Sequence, residues 1–201
     1  MSSSLRIRGR LTLAAWRLGA WRDSVRYSWL AYDKGNLVFF TLLSLPFAVL
    51  GGFARLAYLD HAERRAASLR SAELTCLAEN VYHEARGEPL AGQYAVAEVT
   101  LNRAASPLYP SSICGVVHQQ AWDPRRRRRV GAFSWTEIEE TLGRPRGRAW
   151  RRAVEVATAA YERRAAPQLE GALFYHTTAV EPEWAKTKTP IATIGNHVFY
   201  R

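Results

Sequence analysis

The sequence predicts an α+β protein: a mostly helical domain with a small sheet, preceded by one transmembrane helix. Three observations predict it. Leu37–Ala54 runs for eighteen residues without a charge. Apolar residues recur at helical spacing from Leu74 to Ala104 and again from Trp150 to Tyr161. Near the end, 172–176 (ALFYH) and 197–201 (HVFYR) read as two short strands. The 201 residues, 48% of them hydrophobic, allow one domain of about 150 residues plus a further segment, and exclude wholesale disorder. Two cysteines without a CxxC spacing exclude a thiolate zinc site.

The apolar run, extended over 36–59, reaches the roughly 20 residues that a helix needs to cross a hydrocarbon core of about 30 Å. Pro46 is tolerated in such a helix, and Arg55 near its end can snorkel to the headgroups. Arg6, Arg8, Arg10, Arg17, Arg22, Arg26 and Lys34 precede it against Asp23 and Asp33, whereas the charges after it are mixed. The positive-inside rule therefore puts the basic segment 1–35 in the cytoplasm and the rest across the membrane. For a bacterial chain this means a single-pass inner-membrane protein with a periplasmic domain. More than thirty residues precede the run and no small-x-small site closes it, so a cleaved signal peptide is not expected. Residues 11–32, with Trp16, Trp21 and Trp29 among arginines, suit an amphipathic helix on the headgroups. Residues 60–71 are polar and helix-friendly, and are expected to form a stalk before a domain at 72–201.

In that domain, Leu74, Leu77, Ala78, Val81 and Ala85 mark a first helix, with Gly87 as a left-handed stop before Pro89. A second helix, about Pro89–Ala104, is apolar on most faces and is expected at the centre of the core. Residues 106–110 are turn-rich, and 113–120 suit a short helix. Residues 122–131 read as a loop with the run Arg125–Arg129, and Ser134–Glu137 has capping-box spacing. A long helix then ends near Arg164, and 181–186 is loop or a single turn.

The formal net charge of +10 would suggest nucleic acid. Residues 1–60 account for +5 of it and the five arginines for the rest, so the domain is otherwise neutral and no nucleic-acid partner is expected.

His83-Glu84 begins like the zinc-protease HExxH, but position 87 is Gly, so the second ligand is absent. No metal or cofactor is expected. Glu84 remains as a carboxylate in the last turn of a helix. On an ideal wheel it lies about 20° from Leu77 and about 60° from Val81, toward the packed side. Desolvation and the negative helix end both raise a carboxyl pKa there. A glutamic acid kept protonated is what general-acid cleavage of a glycosidic bond requires. Glu88 is the candidate second carboxylate; a separation of about 5 Å would suit a retaining hydrolase, and about 6.5–9.5 Å an inverting one.

The segments 74–89 (LTCLAENVYHEARGEP) and 92–103 (GQYAVAEVTLNR) resemble the cell-wall hydrolase family of spore-cortex-lytic enzymes, the SleB/CwlJ type. The resemblance continues in order through 109–117 (YPSSICGVV), 133–135 (FSW), 175–176 (YH), 182–185 (PEWA) and 195–200 (GNHVFY). It implies a compact lysozyme-like, lytic-transglycosylase-like fold and a peptidoglycan glycosidase whose partner is the glycan strand. It places the catalytic acid at Glu84, and cleft-lining roles at Asn102, Ser134, Trp135, Tyr175, His176, Trp184, His197 and Tyr200. It leaves open water or the sugar's own 6-hydroxyl as nucleophile, and a non-catalytic glycan-binding protein as the alternative. Relatives with an anchored layout carry Cys-Gln where Gly131-Ala132 stands, so the family's bridge from Cys114 to that loop cannot form. Cys76 is then either a buried thiol or a partner for Cys114 in an oxidising compartment.

Overall fold

In the computed structural model the described residues are 34–163, 169 and 171–201. The expected amphipathic helix at 11–32 lies outside them. The chain divides into two units, Met1–Glu63 and Arg64–Arg201.

Of the first unit, the described part is the beginning of α1 (Lys34–Ala85). Its large apolar side chains, such as Phe40, Phe47 and Phe53, are exposed. The helix is long and apolar enough to cross a membrane, and none of its most apolar stretch is buried inside the protein. Pro46 lies within it, and the stalk segment 60–71 continues it as helix.

The second unit is mostly helical with two small antiparallel sheets. After α1 come α2 (Leu90–Ala105), α3 (Ile113–Val117) and α4 (Gly147–Tyr161). One sheet is the hairpin β1 (Gln120–Asp123) and β2 (Arg128–Gly131); the other has the order β3 (Phe174–Thr177), β5 (His197–Tyr200), β4 (Pro190–Ile194). α2 is central, as its all-round apolarity predicts. Ala97 joins a cluster containing Leu77 and Val81 of α1, Val116 of α3 and Val156 of α4. Ala95, Val96 and Val99 join a second cluster with Ala85, Leu169 and Phe199. Small side chains on α2 let both clusters approach its axis closely.

α1 holds α3 at two points one turn apart. The Glu73 carboxylate accepts the Ile113 N–H at the start of α3, and Cys76 is disulfide-bonded to Cys114. Cys76 is therefore not a buried thiol. Ser112 completes the cap by accepting the Gly115 N–H.

Several local expectations are corrected. α1 ends at Ala85 without a left-handed residue at Gly87; the chain turns instead through a Glu88 N–H bond to the Ala85 carbonyl. α3 stops at Val117, because Gln120 already pairs across β1–β2 with Gly131. The arginine-rich stretch is that hairpin rather than a loop: the Asp123 carboxylate accepts the Arg125 and Arg126 N–H groups, and Arg127 takes a φ of 52° at the turn. The capping box does not form. Ser134 is inside the 3-10 turn Ser134–Glu137, and Glu137 pairs with Arg128 instead. α4 ends at Tyr161, and the strand β4 is unexpected; it follows the 3-10 turn Glu183–Thr187, which is the single turn allowed at 181–186. A Cβ on Gly131 would overlap Thr136 Oγ1, which keeps this position small where the hairpin meets the 3-10 turn.

Candidate active site

Glu84 sits in the last turn of α1, on the side that its wheel position predicts. Tyr175 Oη, from β3, donates to Glu84 Oε2 at 3.2 Å. Burial pushes the Glu84 carboxyl above its ordinary value, against the smaller pulls of the Tyr175 hydroxyl and the Arg103 guanidinium. The Tyr175 phenol is in turn held well above its usual value, first by burial and then by Glu84, so it remains a proton donor at ordinary pH. Arg103, on α2, is fixed by an Nε–H bond of 2.7 Å to the Leu173 carbonyl and lies over the Tyr109 and Phe133 rings.

One turn before Glu84, Asn80 is fully buried. Its Nδ2 donates to Thr100 Oγ1 at 3.0 Å and its Oδ1 accepts from Trp135 Nε1 at 3.1 Å. Trp135 is thereby pinned beside the helix, and the His83 ring stacks on it with centroids 4.5 Å apart. Burial, helped by Arg86, holds the His83 imidazole below its ordinary value, which favours the neutral ring. Glu79, His83, Trp135, Glu139, Arg144 and Trp150 line an open pocket of about 350 Å³ on this side of α1.

Glu88 lies past the helix end and has a different environment. Its Oε2 accepts the Asn196 backbone N–H at 2.8 Å and its Oε1 accepts Asn196 Nδ2 at 3.1 Å. These bonds, the backbone one first, pull its carboxyl below the ordinary value. They brace the two-residue turn between β4 and β5. Gly195 has a φ of 59° there, and a Cβ on it would overlap Glu88 Oε2. A glycine at the first central position with positive φ is the type II′ arrangement suited to a hairpin. His197 Nδ1 is 3.8 Å from Glu88 Oε2 and, among the described residues, is buried without a hydrogen bond. Burial lowers its pKa more than Glu88 raises it.

The β3–β5 register divides the remaining site residues. Directly paired residues share a face, and neighbours along a strand alternate. Tyr175 pairs with Phe199 and Thr177 with His197, so Tyr175 and His197 face the Glu84 side; their rings are 5.3 Å apart. Phe174 pairs with Tyr200 and His176 with Val198, on the opposite face. There His176 stacks on Tyr200 at 5.2 Å, with Trp184 edge-on to both. His176 Nδ1 lies 2.9 Å from the Thr177 carbonyl, which can only accept, so Nδ1 carries a hydrogen; Nε2 lies 2.8 Å from the Tyr200 hydroxyl. The structure thus brings Glu84, Tyr175 and His197 together and sets His176, Trp184 and Tyr200 behind the sheet. Asn102 uses Nδ2 to hold the Leu169 and Ala172 carbonyls, and Ser134 is exposed at the start of its 3-10 turn. Among the described residues, no group of three or more His, Cys, Asp or Glu side chains could hold a metal ion.

The family profile described as Cell Wall Hydrolase matches residues 87–200, more than half of the chain. The chain belongs to the cell wall hydrolase family. The match begins three residues after Glu84, so the helix that bears this carboxyl precedes it. The chain is 32% identical over 127 residues to a spore cortex-lytic enzyme of Bacillus subtilis, covering 63% of this chain and 37% of that protein. A spore cortex-lytic enzyme of Oceanobacillus iheyensis is also 32% identical over 127 residues, covering 63% and 41%. The chain thus spans about two fifths of the length of these curated relatives. Among solved structures, it is similar to the catalytic domain of the germination-specific lytic transglycosylase SleB from Bacillus anthracis. The TM-score is 0.50 at 29% identity, over 64% of this chain and 93% of that one.

Three residues not singled out in the sequence are bonded to the candidate site residues or pack beside them: Asn80, Arg103 and Asn196. Asn80 carried a usable signal. It is a polar side chain four residues before Glu84, just over one helical turn, between Leu77 and Val81 in the sequence. Arg103 and Asn196 carried none, since their partners lie about 70 and 108 residues away.

Proposed function

We propose that this cell wall hydrolase is a peptidoglycan glycosidase with Glu84 as general acid. The observation that carries the reading is the half-buried Glu84 carboxyl, raised in pKa and held by the Tyr175 hydroxyl. Glu84 gives its proton to the glycosidic oxygen as the C1–O bond breaks, and the positive charge that develops on the sugar is quenched by a nucleophile. The resulting Glu84 carboxylate accepts the nucleophile's proton, which returns the site to its starting state. The pocket walled by His83, Trp135 and Trp150 does not include Glu84 in its lining, but His83 precedes Glu84 in the chain. It has room for a sugar ring next to the one cleaved, with Glu79 and Glu139 as partners for hydroxyls.

Both Glu88 oxygens are engaged by Asn196, which makes Glu88 a brace for the β4–β5 turn rather than a second reacting carboxylate. A single acid favours attack by the sugar's own 6-hydroxyl over a two-carboxylate hydrolysis. The likeness to the Bacillus anthracis lytic transglycosylase domain supports the same choice. Mass spectrometry of products from purified peptidoglycan tests it. The expected ends are 1,6-anhydromuramic; reducing ends, heavier by one water, would indicate hydrolysis. A glycan-binding protein without activity would release neither.

The same reading includes a membrane anchor over 36–59, with the domain on the periplasmic side. The apolar exposed helix and the preceding basic residues support it. So does the Cys76–Cys114 disulfide, a bond that persists in oxidising compartments. Alkaline phosphatase fused after Arg201 is expected to be active, and green fluorescent protein fused there, exported unfolded, to be dark. The reverse pair of results would place the domain in the cytoplasm.

A further inference from the structure

The β1–β2 hairpin is a charged projection with two unlike faces. Asp123 pairs across it with Arg128, and Ala121 with Val130. On this face Glu137 holds Arg128 at 2.6 Å and Arg126 at 3.9 Å, so two of the five arginines are engaged in building the hairpin. On the other face Trp122 pairs directly with Arg129. Trp122 is 64% exposed. Arg125 and Arg127 lie in the turn, and with Arg129 they make no ion pair among the described residues. A bare indole and three uncommitted guanidinium groups thus share one end of the domain.

We propose that this hairpin face is an accessory docking surface for a carboxylate-bearing glycan strand, separate from the Glu84 site. The indole face offers a platform for the C–H side of a pyranose ring, and the planar guanidinium fork matches a carboxylate. Binding to a bilayer surface uses a broader apolar face; on this hairpin face Trp122 is the single large apolar side chain. A sugar ring presenting an acid within reach of Arg129 matches the pair better. The surface is also tied to the site. β2 leads directly into the 3-10 turn that carries Trp135, so a strand gripped here is held beside the pocket rather than at a remote point. The choice of peptidoglycan as the strand rests on the proposed function; the chemistry of an anionic glycan does not.

The test uses the full chain in nanodiscs of neutral lipid, with Trp122→Ala, Arg125→Ser, Arg127→Ser and Arg129→Ser combined. Arg126 and Arg128 are kept so that the hairpin retains its Glu137 anchor, and a thermal melt checks the fold. Cosedimentation in the cold is measured with native sacculi and with sacculi whose carboxylates are blocked as amides. The proposal expects the parent to bind native sacculi at low salt at least ~5-fold more tightly than the variant. This advantage disappears on blocked sacculi, and at about 0.5 M salt, where the Debye length falls to about 4 Å. Turnover of a short, soluble, neutral glycan is unchanged if the proposed activity is present. If that activity is absent, the sedimentation result still decides the docking proposal. Equal binding by parent and variant, or an advantage undiminished on blocked sacculi, overturns it. So does a parent that prefers anionic lipid vesicles to native sacculi, which would assign the face to a membrane.

Discussion

Glu84→Gln is expected to lower cleavage of purified peptidoglycan by at least ~100-fold while the domain remains folded. A glycosidic oxygen leaves poorly unless it is protonated as the bond breaks, and a positioned acid contributes roughly 10²–10⁴-fold to such a step. Glutamine keeps the size and polarity of the side chain but has no proton to give. The substitution also has a stability signature. The folded-state pKa of Glu84 is raised, so the protonated form stabilises the fold; that contribution is complete below the unfolded value and is lost as pH rises through the folded one. Glutamine removes the cost of a partly desolvated carboxylate. The variant should therefore melt higher than the parent at neutral pH, and the difference should vanish below about pH 4, under the ordinary glutamate pKa. An inactive variant that is also destabilised at neutral pH would point to a structural defect instead.

Tyr175→Phe is the second large expected effect, about 5–10-fold on kcat with KM changed less than twofold. The Tyr175 hydroxyl donates to Glu84 Oε2. Such a bond is stronger to a carboxylate than to a carboxylic acid, so it strengthens as Glu84 loses its proton in the transition state. About 1 kcal/mol of that difference accounts for the rate loss. The same bond lowers the Glu84 pKa, so its removal should move the basic limb of the pH–rate profile to higher pH while the plateau falls. A packing defect would lower the plateau and leave the limb in place.

The first two domain helices were legible in the sequence because burial and periodicity coincide. The α1 wheel turns Glu84 toward Leu77 and Val81, and the all-round apolarity of 90–105 marks a helix that packs on both sides. The hairpin was not legible, because five consecutive arginines erase the alternation that marks a strand. Its order comes from Glu137, outside the stretch. β4 is short and begins with a proline, yet Gly195-Asn196 before His197 is a hairpin signal that could have revealed it. The division of the site residues was also within reach. Tyr175 and His176 are neighbours on a strand and cannot point to one face. The disulfide is not legible, because the spacing of Cys76 and Cys114 does not report the packing of α3 on α1. Family resemblance draws attention to Asn102, and the two-carboxylate argument to Glu88; only the structure gives their bonds, which support the loop before β3 and the β4–β5 turn.

The most direct measurement of the central claim is the titration of the Glu84 side-chain carboxyl by carbon NMR. The resonance is assigned by its absence in Glu84→Gln, and its midpoint is compared with the basic limb of the parent's kcat/KM profile. The account predicts a midpoint above the ordinary glutamate value of about 4.3, coincident with the loss of activity. A midpoint at or below that value, with full activity persisting above it, would contradict Glu84 as the proton donor.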